Sequence, residues 1–560
     1  MEITSLISKT LYLSLIKFGA IEEAAFERKL KNFNRNNIDT LQKIIERNKS
    51  SEYGLKHNFK NIKSIEEYKK QVPLGDYNDF YPYIERMAKG EKNILVSEPI
   101  EYFSHTSGTT GRQKLIPTTK SSRRNASKYM AVLVNRYAYK NFKENWSLNR
   151  GLMLADIVQS SYTEADIPIR SGTSGGFNSI KKIIPYLYTS PLEVMKISDK
   201  QTALYLHCLF ALKDRSLSYI SSVFISNILD FFRLMEKNKK ELTKDIREGR
   251  INRALPLEEK VRKSLNTLLF PDASRGEEVS KEFDKGFNGI ARRLWPKLSY
   301  LMAVTGANFS IYDSEVDYYT GSLPIYSPAY AASEALMGIN KASRKISYIM
   351  IPDTAYYEFI PLENGKEGET VSSEDLILGK SYEVVITNHA GLYRYPMGDV
   401  VKVIDFYKDA PEIEFLYRKN QLLNMVAEKT TEEHITHAIL ETMNKLKVKL
   451  IDYTTSPDIA VSPGRYIFYL ELDKPPEGKA LKELDKLLDN ELRTANPAYD
   501  RARKGNRLSC LKVQLLLPGT FNAIKEILYK KGVSKNQLKI PRVLNKNHQA
   551  MGIIKENIQR

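Results

Sequence analysis

The chain has 560 residues, two cysteines and a formal net charge of +18. That length points to a large domain with one or two smaller ones, while Cys208 and Cys510, far apart in sequence, exclude a disulfide framework or a cysteine-built metal site and favour a reducing compartment. The basic residues are scattered and flanked by acids, and no glycine-flanked aromatic motif of the RNA-binding kind occurs, so nucleic acid is not expected as a ligand.

In chain order, the opening "MEITSLISKTLYLSLIKFGAIEEAAFERKL" is apolar but interrupted by Lys9, Lys17 and Glu22. It lacks the basic start, long apolar core and small-residue cleavage site of a signal peptide, and no run approaches a bilayer span. An amphipathic helix packed on the body, a cytoplasmic location and no membrane partner are expected. "IDTLQKIIERNKSSEYG" has helical spacing and stops at Gly54. Residues 94–104 read as strand and turn.

"HTSGTTGRQKLIPTT" (105–119) follows. Gly108 and Gly111 permit positive φ and close approach of backbone to a ligand. Exposed amides around Ser107, Thr109 and Thr110, with Arg112 and Lys114 nearby, suit an anion nest; a polar hairpin turn is the plain alternative. The spacing does not fit a Walker loop, because Gln113 stands where that pattern needs a second glycine.

The runs at 151–158, 298–306, 345–352 and 381–388 read as strands, and 201–212, 222–247 and 256–267 as helices. Their alternation predicts an α/β domain with covered sheets. "SPAYAASEALMG" (327–338) places Tyr330, Ser333 and Glu334 before what reads as an apolar helical run. Ser333 and Glu334 can cap that helix, or Glu334 can serve as a hard oxygen ligand for Mg²⁺ beside phosphates. In "HAGLYRYPMGDVVKVID" (389–405), Asp399 follows Gly398 at a strand start. It can accept both hydroxyls of a ribose or simply make a Gly-Asp turn.

Near residues 418–430 the pattern changes to a compact α+β unit, giving a large domain over 1–425 and a small one over 426–560. Arg418 and Lys429 lie at this boundary, and Lys539 lies in the small domain's polar tail, where a solvated surface lysine is the default. His434 and His437 have no third ligand, so zinc is not expected.

Together and in order, "TSGTTGRQKLIPT", "YLMAVTGANFSIYDSEVDYYTGSLPIYSPAYAASEALMG", "GLYRYPMGDVVKV", "RKNQLLN" and "SKNQLKIPR" resemble the adenylate-forming enzymes related to firefly luciferase. More closely, they resemble the auxin-responsive Gretchen Hagen family of acyl acid amido synthetases. The resemblance runs from about residue 60 to about residue 545. It implies ATP and Mg²⁺ as cofactors and an organic acid and an amino acid as partners. The acid would be adenylated and its acyl group then passed to the amine; an acyl-CoA ligase or a non-catalytic nucleotide-binding protein are the alternatives. It implies Ser107, Gly108, Thr109, Thr110 and Lys114 at phosphate, Tyr330 and Ser333 on the adenine side, and Glu334 at the metal. Asp399 and Arg418 would be at the ribose, Lys429 by the hinge, and Lys539 at the reacting carboxylate. The chain has Ala331-Ala332 where plant members usually carry Gly-Ser, and Pro396 where they usually carry Arg. The acid itself is expected at 158–176, with Arg170, and at 305–312.

Overall fold

The structure is a computed structural model. It describes residues 2–559 except 107–113, 156, 158–160, 171–180, 306–312, 363–368, 420–422, 424, 426–427, 429, 459, 462, 531–539 and 545–547. The strands are β1 (Ile100–Thr106), β2 (Lys114–Thr119), β3 (Leu152–Leu154), β4 (Ser161–Tyr162), β5 (Pro168–Arg170), β6 (Tyr219–Phe224), β7 (Tyr300–Val304), β8 (Ile325–Tyr326) and β9 (Ala329–Ala331). They continue with β10 (Leu336–Ile339), β11 (Tyr348–Met350), β12 (Ala355–Pro361), β13 (Ser381–Asn388), β14 (Tyr395–Tyr407), β15 (Ala410–Arg418), β16 (Leu450–Asp458), β17 (Arg465–Leu472) and β18 (Lys512–Leu516).

One sheet, β3-β6-β7-β8, is wholly parallel. Its apolar strands are buried with helices Lys200–Lys213 and Ile225–Lys237 in a core that includes Leu154, Ile220, Leu301, Phe231 and Trp295. A parallel sheet needs such cover, which is why these strands read as continuous apolar runs. A mixed sheet, β2-β1-β5-β4, has β2 at its edge. The third sheet has seven strands in the order β12-β13-β14-β15-β11-β10-β9. It curls until β12, at one end, reaches β10 near the other: the Tyr357 hydroxyl on β12 donates to the Met337 carbonyl on β10 at 3.4 Å. That curl brings β9 near β14 and so builds the site.

The opening helix, Glu2–Leu30, buries Tyr12, Ile16, Phe26 and Leu30 against this body. Its acids also face inward, Glu22 to Lys128 at 2.7 Å and Glu23 to Arg136 at 3.0 Å. After residue 430, helices Glu432–Leu446 and Gly478–Ala495 cover β16-β17-β18 around their own core, which includes Ile439, Phe468, Leu470 and Leu488. Both cysteines are free, and among the described residues no helix is long and apolar enough to cross a membrane.

Three expectations need correction. Residues 222–247 are not one helix: β6 runs to Phe224, and the helical part breaks at Asn238 into Ile225–Lys237 and Lys239–Glu248. Residues 327–338 hold no helix but the hairpin β9–β10, so Ser333 and Glu334 cap nothing helical. Asp399 does not begin a strand, because β14 starts at Tyr395. Sequence spacing also passed over β16 and the helices Pro497–Lys504 and Ala550–Glu556.

Candidate functional site

Three residues of β13, from Glu383 to Val385, stand opposite five of β14, from Pro396 to Val400. The extra residues form a bulge, which kinks a strand and re-aims its side chains. Gly398 supplies the positive φ (+70°) that this bulge needs, and its amide donates to Glu383 Oε1 at 3.2 Å. Asp399 follows and turns into the curled sheet, only 1 % exposed.

A carboxylate that deep must be paired. Arg418, its register partner on β15, donates from Nε to Asp399 Oδ1 at 2.5 Å. Tyr330 on β9 donates its hydroxyl to Oδ2 at 2.8 Å. Each carboxylate oxygen keeps a further lone pair for a ligand hydroxyl. The Tyr330 ring is itself buried, with its centroid 6.0 Å from that of Tyr348 and 5.9 Å from that of Phe415. Its described contacts thus orient Asp399.

Ser333 and Glu334 occupy the tip of the hairpin, closed by Ala332 N donating to Ala335 O at 2.9 Å. Asn388, at the end of β13, pins this tip by donating from Nδ2 to Glu334 O at 2.8 Å. Burial raises the Glu334 carboxyl above the usual carboxylate range, against the charges of Arg418 and Lys114, while Asp399 raises it further. Lys114 opens β2 opposite Thr106 of β1. Burial lowers its pKa; Glu334 and Asp76 oppose that fall and Arg418 adds to it. Its ammonium lies 5.0 Å from the ring centroid of Tyr77, the first residue of helix Tyr77–Ala88. Asp399 holds the Arg418 guanidinium well above its ordinary pKa.

Lys114, Tyr330, Ser333, Glu334, Asp399 and Arg418 thus come from five separate strands and turns into one neighbourhood holding two cations and two carboxylates. Ser107, Gly108, Thr109, Thr110, Lys429 and Lys539 lie outside the described residues, as do 158–160 and 171–176 of the stretch 158–176 and all but Thr305 of 305–312. Arg170 sits on β5 beside Ser104 of β1, its guanidinium 6.0 Å from the Tyr102 ring centroid. Arg394, between its two tyrosines, has a structural part: it is buried at φ +45° and donates to Glu358 at 2.9 Å and to the Val72 carbonyl at 2.9 Å.

Sequence reasoning missed Tyr77, Asn388 and Tyr395, whose phenol lies within reach of the Glu334 and Arg418 charges. Tyr395 lay inside a quoted motif and carried that much signal. Tyr77 and Asn388 carried none, being ordinary residue types joined to the site only by folding. Among the described residues, no group of three His, Cys, Asp or Glu could hold a metal ion. One fitting donor remains. Glu334 forms no ion pair among these residues yet lies near the charges of Arg418, Lys114 and Asp399, and Mg²⁺ is commonly held by one or two carboxylates plus substrate phosphates.

Residues 22–325 match the GH3 family N-terminal domain, 348–418 the GH3 family central domain and 433–548 the GH3 family C-terminal domain. The 4-substituted benzoates-glutamate ligase GH3.12 of Arabidopsis thaliana is 31% identical over 551 residues, 93% of this chain and 95% of that protein. The probable indole-3-acetic acid-amido synthetase GH3.11 of Oryza sativa subsp. japonica is 31% identical over 542 residues, covering 90% of each chain. The solved GH3.15 acyl acid amido synthetase superposes with a TM-score of 0.86 at 26% identity, covering 96% of both chains. With its three parts matched in order and its length shared with such relatives, the chain belongs to the GH3 family.

Proposed function

We propose that this protein is an ATP-dependent acid–amino acid ligase that adenylates an organic carboxylate and then forms an amide. The observation that carries the reading is the convergence of Asp399, Arg418, Glu334 and Lys114 in a chain whose relatives are named as an acid-amido synthetase and a benzoate–glutamate ligase. A carboxylate is a poor electrophile because its charge repels nucleophiles. When its oxygen attacks the α-phosphorus of ATP, the bond to pyrophosphate breaks and the acyl group becomes a mixed anhydride with a good leaving group. An amino acid amine then attacks the acyl carbon and releases AMP.

The protein's part in this is positioning and charge compensation. Asp399, held by Tyr330 and Arg418, would accept the ribose hydroxyls. Lys114, with Ser107, Gly108, Thr109 and Thr110, would lie along the phosphates, and Ser333 beside the adenine. Glu334 would hold Mg²⁺, which when bound offsets phosphate charge. We place the large domain at 1–425 and the small one at 426–560, with Lys429 by the hinge. Closure of the small domain would bring Lys539 to the reacting carboxylate and exclude water from the anhydride. Support for Lys539 is the motif "SKNQLKIPR". The acid would meet 158–176, with Arg170, and 305–312, and the protein would work in the cytoplasm.

The test is pyrophosphate release from ATP and Mg²⁺ with a panel of carboxylic acids, followed by addition of amino acids or CoA and product identification by mass. An amide is expected. A thioester with no amide would make the protein a CoA ligase, and ATP binding with no turnover would make it a non-catalytic binder. Lys539→Ala is expected to bind ATP but lose adenylation; retention of the full rate would refute its role.

A further inference from the structure

Tyr77 stands in an unusual relation to Lys114. It is the first residue of helix Tyr77–Ala88, whose start is fixed by a capping box: Asp76 accepts from the amides of Asn78 at 2.7 Å and Asp79 at 3.3 Å, and Asp79 accepts from the amide of Asp76 at 2.8 Å. The helix end therefore offers Tyr77 from a rigid base. Because β2 is an edge strand, its outward backbone groups have no neighbouring strand. The Tyr77 hydroxyl takes that place: the Leu115 amide donates to it at 2.8 Å, and it donates to the Leu115 carbonyl at 3.3 Å. The adjoining side chain, Lys114, then lays its ammonium 5.0 Å from the centroid of the same ring. Among the described residues Lys114 forms no ion pair, so the ring is the partner that fixes its direction.

We infer that Tyr77 is a positioning residue for the nucleotide, holding Lys114 toward the phosphates by gripping the first peptide of β2 with its hydroxyl and underlying the ammonium with its ring. The inference rests on the proposed reading of Lys114 as a phosphate-side cation. A tyrosine that only filled space would affect ATP and AMP alike. One that aims Lys114 acts on the phosphates that AMP lacks.

The experiment measures equilibrium binding of ATP and of AMP, each with Mg²⁺, to the full chain and to Tyr77→Phe, Tyr77→Leu, Lys114→Met and the double variant Tyr77→Leu/Lys114→Met. Loss of a partly desolvated cation–ring contact predicts that Tyr77→Leu weakens ATP about tenfold while AMP stays within about twofold. Tyr77→Phe keeps the ring and is expected to lose about threefold, the smaller effect of one hydroxyl. In the Lys114→Met background, Tyr77→Leu is expected to add nothing. Equal losses for ATP and AMP, unchanged ATP binding in both single Tyr77 variants, or the same loss without Lys114 would overturn the inference. If Tyr77→Leu does not fold, Tyr77→Phe still decides between these results. A wild-type chain that binds ATP no better than AMP would instead overturn the reading of Lys114 itself.

Discussion

Asp399 is a buried carboxylate held by one guanidinium and one phenol. Removing the guanidinium leaves that charge short of a partner, which costs more than the pair contributes. Arg418→Ala is therefore expected to lower stability by about 2–3 kcal/mol in denaturant unfolding. In Arg418→Ala/Asp399→Asn the loss should be smaller than the sum of the two single losses, since neither partner is left charged and alone. Another buried residue sets a pH dependence. His207 lies in helix Lys200–Lys213 with Ser190 as its hydrogen-bond partner at 2.6 Å, and burial lowers its pKa to about 3. A depressed pKa means the unfolded chain takes up the proton first. The stability His207 contributes is complete above the ordinary value near 6.5 and is lost as pH falls toward 3. His207→Asn should remove about 2 kcal/mol of the loss in stability between pH 7 and pH 5, measured by urea unfolding at both; an unchanged difference would show that His207 takes up its proton in the folded chain as readily as in the unfolded one. At this scale, the gathering of Lys114, Tyr330, Glu334, Asp399 and Arg418 from separate quoted motifs was legible. Asn388 and Tyr77 were not, because their contacts with Glu334 and Leu115 are made only after folding.

At the scale of elements, the hairpin β9–β10 shows where local pattern misleads. "AASEAL" is rich in good helix formers, so spacing and composition predict a helix. Pairing of Gly338 with Tyr330 on one side and Met350 on the other overrides that preference. Gly338 permits this approach: a Cβ there would come within 2.8 Å of the Tyr348 Cβ. Gly338→Ala is expected to cost about 1–3 kcal/mol by overpacking, read as a lower urea midpoint; an unchanged midpoint would show that the strands have room to part. The bulge at Gly398 was half-legible. The Gly-Asp pair signalled a break in the backbone, but only the register between β13 and β14 shows that it lies within a strand. Strands with long apolar runs and the longer helices of the last 130 or so residues, Glu432–Leu446, Gly478–Ala495 and Thr520–Lys530, were readable, because each follows its own period over many residues. β16, "LIDYTTSPD", was missed because its period is broken by polar residues that find partners: the Thr454 hydroxyl donates to the Pro541 carbonyl at 2.6 Å, and that of Thr455 to the Arg542 carbonyl at 2.7 Å.

At the scale of the whole molecule, the curled sheet carries most of the site, and an ion pair among the described residues joins the C-terminal part to the layer of the parallel sheet. Lys449, at the start of β16, approaches Glu315 of helix Asp313–Thr320 at 3.2 Å, and Glu315 also takes Arg233. Lys449 is half exposed, and pairs of that kind contribute little. Lys449→Ala should change unfolding stability by less than about 1 kcal/mol, and a larger loss would show that this contact carries more of the assembly than an exposed pair can. The general architecture was legible from the order of strands and helices. The closing of the seven-stranded sheet was not, since β9 and β14 meet only when the strands between them bend.

The most direct test of the account is isotope transfer. The protein is incubated with ATP, Mg²⁺, a panel of amino acids and carboxylic acids labelled with ¹⁸O in the carboxyl group, and the nucleotide product is weighed by mass spectrometry. Attack of the carboxylate on the α-phosphorus predicts that the AMP formed carries one labelled oxygen, alongside unlabelled pyrophosphate and an amide. Labelled inorganic phosphate with ADP, or AMP without label, would contradict it.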